Sequence, residues 1–118
     1  MIDPGNKQYG AVFTPAQTAD LAASLAEGNV LDPCCGNGNL LVAVVHRRLN
    51  AGVDPALIAS QIFGIEIQEQ YALECRERLI LLLGEDNRDT ITRNIVHGDF
   101  LAKAGPERSL EWGRLPGL

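Results

Sequence analysis

The sequence predicts an α/β fold, a small open parallel sheet of about three strands flanked by helices. Three observations predict it. Short apolar runs alternate with segments of helical periodicity, and strands joined through helices pair in parallel with right-handed crossovers. A glycine-bearing loop, Pro33 to Gly38, follows the first run. The three strands end in Asp32, Glu66 and Asp99, and the carboxyl rim of such a sheet is where ligands bind.

The elements follow in order. Residues 1–7 read as a mobile N-terminus. Thr14-Pro15-Ala16-Gln17 is a helix start, with Thr14 as cap, Pro15 at the first helical position and Gln17 reaching back. Leu21, Ala22 and Leu25 share one face, and Gly28 ends the helix. Asn29 to Asp32 reads as a buried strand, and Asn39 to Leu49 as a helix apolar on most sides. Asp54-Pro55 opens a short helix to about Ser60. Ile62 to Glu66 is the second strand. Gln68 to Leu83 is the clearest helix. Its stripe is Ala72, Cys75, Leu79, Leu82 and Leu83, Glu74 is placed to pair with Arg78, and Gly84 closes it. Asn94 to His97 is the third strand. Residues 8–103 thus form one unit, and the tail 104–118 is unassigned.

Composition bounds the function. The 118 residues are 46% hydrophobic and 21% charged, as in a globular domain with one core. Leu40 to Val45 is too short to span a membrane, and no signal peptide opens the chain. No membrane association and a cytoplasmic home are expected. The three cysteines, two of them adjacent, suit neither a disulfide framework nor a zinc site. The net charge of −5 and scattered basic residues argue against a chain that grips a nucleic-acid backbone by itself. Arg47, Arg48, Arg76 and Arg78 read as solvated helix faces, and His46 and His97 as structural.

The rim residues carry the chemistry. Gly36 and Gly38 let the backbone turn and approach a ligand, and the helix from Asn39 aims its free amides there. A dinucleotide fingerprint wants a third glycine at position 41, where Leu41 stands. A zwitterionic amino-acid end suits the loop better, with Asp32 meeting the ammonium and the amides the carboxylate. Glu66 is placed for the hydroxyls of a ribose. Asp99 is placed for an adenine amino group, with Phe100 over the ring. Amino acid, ribose and adenine in a row describe S-adenosylmethionine. Singly, each feature has a plainer reading: an ordinary turn at Gly36 to Gly38, solvated carboxylates at Glu66 and Asp99, small apolar filler at Cys34 and Cys35.

Tyr9 to Pro15 resembles motif X of the adenine-N6 DNA methyltransferases. Asp32 to Leu41 resembles their motif I, Phe63 to Ile67 motif II, and His97 to Leu101 motif III. The order X, I, II, III is that of the gamma class, which includes type I modification subunits and many type II modification enzymes of restriction-modification systems. The resemblance covers residues 8–101 and implies a partial Rossmann-like S-adenosylmethionine-dependent fold of strand order 3-2-1. It implies that Phe13, Thr14 and Pro15 line the methionine end. Asp32, Pro33, Cys34 and Gly36 would hold the amino acid, Glu66 and Ile67 the ribose and one adenine face, and Asp99 and Phe100 the adenine edge and other face.

Family members continue into a fourth strand and an Asn/Asp-Pro-Pro-Tyr/Phe loop that grips a flipped-out adenine. The sequence holds no such segment, the nearest run being Leu115-Pro116-Gly117-Leu118. The expectation is therefore a chain truncated before strand 4, inactive alone, whose Val30-Leu31 edge is covered by a second subunit or a second copy. A separate subunit there would supply the catalytic loop and most of the DNA contact. Transfer would be direct attack of adenine N6 on the methyl carbon, without a metal. Two alternatives stand beside this reading: a non-catalytic cofactor-binding or regulatory module, and part of an RNA or protein-glutamine methyltransferase.

Overall fold

The computed structural model describes residues 15–99. The elements run α1 (Ala16–Leu25), β1 (Val30–Asp32), α2 (Asn39–Asn50), α3 (Pro55–Gln61), β2 (Ile62–Glu66), α4 (Glu69–Leu83), a 3₁₀ turn (Glu85–Asn87), α5 (Arg88–Asn94) and β3 (Ile95–His97). The three strands form one sheet with β2 in the centre. Both pairings are parallel: Val30 opposite Ile62 and Asp32 opposite Gly64, then Gly64 opposite Ile95 and Glu66 opposite His97. This is the α/β architecture that the alternation of apolar runs and helices predicts, in the 3-2-1 order that the family resemblance implies.

All five residues of β2 are buried, as a central parallel strand requires. The core lies between the strands and the helices. Leu41, Val44 and Val45 of α2, Ile58 and Ala59 of α3 and Ile62 of β2 join Cys75, Leu79, Ile80 and Leu83 of α4, Ile91 of α5 and Ile95 of β3. Four of the five residues in the α4 stripe are fully buried, and Leu82 is half-buried beside them. Gly64 permits a close approach. A Cβ there would lie 2.9 Å from Cys35 Sγ and 3.1 Å from Leu41 Cδ1, so its bare backbone lets the loop after β1 and the helix α2 press onto the sheet.

The capping signals divide. Asp54 caps α3 as expected, its side chain accepting from the Leu57 amide at 3.3 Å with Pro55 at the first helical position. At α1 the start is corrected: the helix begins at Ala16, with Pro15 as the flanking residue and not the first helical one, while Thr14, the expected cap, lies outside the described residues. The Pro15 carbonyl takes the Ala19 amide at 2.9 Å. The 3₁₀ turn and α5 are additions to the elements that the sequence predicts. Their sequence, Glu85 to Asn94, is polar except for Ile91, which leaves no apolar period to read. Among the described residues no helix is long and apolar enough to cross a membrane.

Candidate functional site

The register brings the three acids to one rim. Asp32 opposes Gly64, two residues before Glu66, and Glu66 opposes His97, two residues before Asp99. The carboxylates therefore step outward along adjacent parallel strands. Cys34 reports their convergence: burial raises its thiol pKa, and the charges of Asp32, Glu66 and Asp99 each raise it further. One exposed side chain in the loop feels all three strand ends.

Asp32 and Glu66 are both nearly buried, at 9% and 8% exposure. Oδ1 of Asp32 accepts the Cys34 amide at 3.2 Å. Burial pushes the Asp32 carboxyl above its ordinary value, the Cys34 amide offsets part of that, and the charge of Glu66 adds to the rise. Glu66 fastens the loop. Oε1 accepts the Gly36 amide at 3.0 Å and Oε2 the Gln68 amide at 2.8 Å. Its carbonyl accepts the Gly98 amide at 2.9 Å, which ties the segment leading to Asp99 to the same point. Among the described residues the ion pairs are Arg88 with Glu77 and with Glu85, on the surface, and none reaches Asp32 or Glu66.

The loop is a tight turn that needs glycine at two positions. Gly36 and Gly38 have φ of 54° and 96°, a region that other residues rarely enter. The Cys35 amide bonds to the Ile65 carbonyl at 3.0 Å, and the Gly38 amide to the Cys35 carbonyl at 2.9 Å. Gly38 is the N-cap of α2, and no side chain caps that helix. Its first-turn amides thus carry the positive end of the helix dipole toward the carboxylate rim. Asp32 and Glu66, which no cation pairs among the described residues, and the start of α2 beside them can take both charges of an amino acid.

The remaining expected residues fall as follows. Pro33 and Cys34 are exposed in the loop, and Gly36 is buried. Ile67, at 40% exposure, presents an apolar side chain next to Glu66. Asp99 is exposed. Pro15 is exposed at the head of α1. Phe13, Thr14 and Phe100 lie outside the described residues, as do the segment 1–7 and the tail 104–118. His97 Nε2 lies 3.0 Å from the Ile67 carbonyl, a structural tie.

Sequence reasoning missed Arg76 and Arg78. Both are half-buried, which corrects their reading as solvated faces. Arg76 Nε donates to the Ile95 carbonyl at 2.8 Å. Arg78 Nη1 donates to the Asn37 carbonyl and to Asn39 Oδ1, each at 2.9 Å. The expected partner, Glu74, is exposed on α4. The i,i+4 spacing is a local signal, whereas this tie spans 41 residues of chain. The side-chain Oδ1 of Asn37 and Nε2 of Gln68 are buried without a partner, and both residues adjoin the loop's anchors.

A family model described as N-6 DNA Methylase matches residues 3–111. No curated protein and no solved structure matches the chain.

Proposed function

From the premise that this chain belongs to the N-6 DNA methylase family, we propose that it is the S-adenosylmethionine-binding portion of a site-specific adenine-N6 DNA methyltransferase of the gamma class. The observation that carries this reading is the pairing of unneutralised acids with an uncapped helix start. Asp32 is held above its ordinary pKa by burial and by Glu66, with no cation paired to either among the described residues. An ammonium group relieves that strain, and the amides at the start of α2 receive a carboxylate.

The residues divide the cofactor between them. Asp32, Pro33, Cys34 and Gly36 hold the amino-acid end, and Phe13, Thr14 and Pro15 line the methionine side. Glu66 retains a lone pair on each oxygen beyond those given to Gly36 and Gln68, enough to accept from ribose hydroxyls. Ile67 covers one adenine face, Asp99 takes the amino edge, and Phe100 the other face. When bound, the cofactor supplies an electrophilic methyl group. The work of this chain is to fix its orientation so that an incoming nitrogen meets it in line.

No segment of this sequence reads as the Asn/Asp-Pro-Pro-Tyr/Phe catalytic loop, and the reading places a partner, a second subunit or a second copy, against the edge of β1. The open edge of β1 supports this. Among the described residues β1 pairs with β2 alone, and Val30 and Leu31 are only half-buried. DNA is gripped mainly through the partner, consistent with a net charge of −5 here. Calorimetric titration with S-adenosylmethionine tests the reading. The whole chain is expected to bind one equivalent, and Glu66→Ala to bind at least about tenfold more weakly. No binding by the unaltered chain overturns it.

A further inference from the structure

We propose that Arg78 is a positioning residue for the loop between β1 and α2, setting the amides that meet the cofactor's amino-acid end. The inference rests on the cofactor reading above. It starts from a peculiarity of the loop. Asn37 stands between two glycines of positive φ, Gly36 at 54° and Gly38 at 96°. Glycine on either side makes rotation of the intervening peptide planes inexpensive, so the turn from which the first amides of α2 emerge needs something else to hold it.

Arg78 supplies that hold. The Asn37 carbonyl shares a peptide plane with the Gly38 amide. Arg78 Nη1 grips the carbonyl at 2.9 Å, and the Gly38 amide reaches the Cys35 carbonyl at 2.9 Å on the other side. The plane is thus pinned at both ends. The same guanidinium nitrogen also takes Asn39 Oδ1 at 2.9 Å, fixing the first residue of α2. One turn earlier on α4, Cys75 fills the space beside Gly38, where a Cβ would stand 2.8 Å from its Sγ. Helix α4 therefore walls the loop at two points, one by packing and one by a charged donor. A guanidinium suits the task because its donors lie in a rigid plane.

The distinction from an ordinary brace lies in which ligand notices. The loop faces the amino-acid end, whereas the ribose and adenine are assigned to the ends of β2 and β3. Arg78→Met in the full chain is expected to weaken S-adenosylmethionine about tenfold or more, the worth of a charge-assisted bond. Binding of 5′-methylthioadenosine, which lacks the amino-acid end, is expected to change by less than about twofold on the same reasoning. Arg78→Lys keeps one donor toward the Asn37 carbonyl and recovers part of the loss, and it serves where Arg78→Met folds poorly. Equal binding of S-adenosylmethionine by the variants and the parent overturns the proposal, as does an equal loss for both ligands. A parent chain that binds neither ligand overturns the cofactor reading itself, and this inference with it.

Discussion

The amide of Gly36 donates to Oε1 of Glu66 at 3.0 Å, across thirty residues of chain. This bond joins the turn after β1 to the end of β2, and with it the two halves of the candidate site. Oε2 of the same carboxylate takes the Gln68 amide at 2.8 Å. A single side chain thus satisfies two amides from opposite sides, and substitution at Glu66 reaches the fold as well as the ligand.

Glu66→Ala is therefore expected to leave both amides without their acceptor and to cost about 2–4 kcal/mol of stability. Glu66→Gln keeps one acceptor oxygen but turns an N–H toward the second amide, so its loss should be intermediate. Urea unfolding checks this, with a lowered midpoint and an unchanged slope. Equal stability of all three proteins would contradict the clamp.

Asp32→Asn should separate stability from binding. The change removes a buried charge that Glu66 opposes, while the amide oxygen still accepts from Cys34. The melting temperature is expected to rise by a few degrees. Affinity for S-adenosylmethionine is expected to fall about tenfold or more as the ammonium loses its counter-charge. Calorimetry and thermal melts on the same samples read both effects.

Acidity should show the same group from another side. The folded-state pKa of Asp32 is raised above 3.8, so its ionised form is disfavoured by folding. Its penalty is absent below 3.8, grows as pH rises toward the folded value, and is fully present above it. Binding an ammonium requires the ionised form. Affinity should thus decline on acidification through the raised folded pKa, and binding there should release a proton. Titrations in mildly acidic buffers of different ionisation enthalpy detect that proton, and Asp32→Asn should abolish it.

Gly64→Ala tests the packing of loop on sheet. Its new methyl would meet Cys35 Sγ at 2.9 Å and Leu41 Cδ1 at 3.1 Å, which overpacking puts at about 1–3 kcal/mol. Chemical denaturation measures it. Stability equal to the parent's would show that the loop is not pressed against β2.

Much of this was legible from the amino acids because it is periodic or punctuated. The run Ile62 to Glu66 is bounded as expected, and α4 begins at Glu69, one residue later than read. Both carry long apolar patterns that packing then uses. Asp54-Pro55 gave a working cap, yet the same pairing at Thr14-Pro15 did not place the helix start, since α1 begins after the proline. Cap geometry depends on the path by which the chain enters. Helix α5 escaped notice because Ile91 is its sole strongly apolar side chain. At the site, the acids announced themselves by standing at strand ends. Arg78 did not, because its partners are a backbone carbonyl and an amide oxygen far away in sequence. The two cysteines of the loop also read alike but differ, Cys35 buried against Gly64 and Cys34 exposed to the three charges.

The most direct test of the central claim is a two-dimensional ¹⁵N–¹H spectrum of the whole chain, recorded as S-adenosylmethionine is added. Saturable shifts are expected together at the amides of Cys34, Gly36 and Gly38, of Glu66 and Ile67, and of Gly98 and Asp99, while those of α5 stay in place. Shifts confined to one strand end, or scattered away from the rim, would contradict a site assembled from all three.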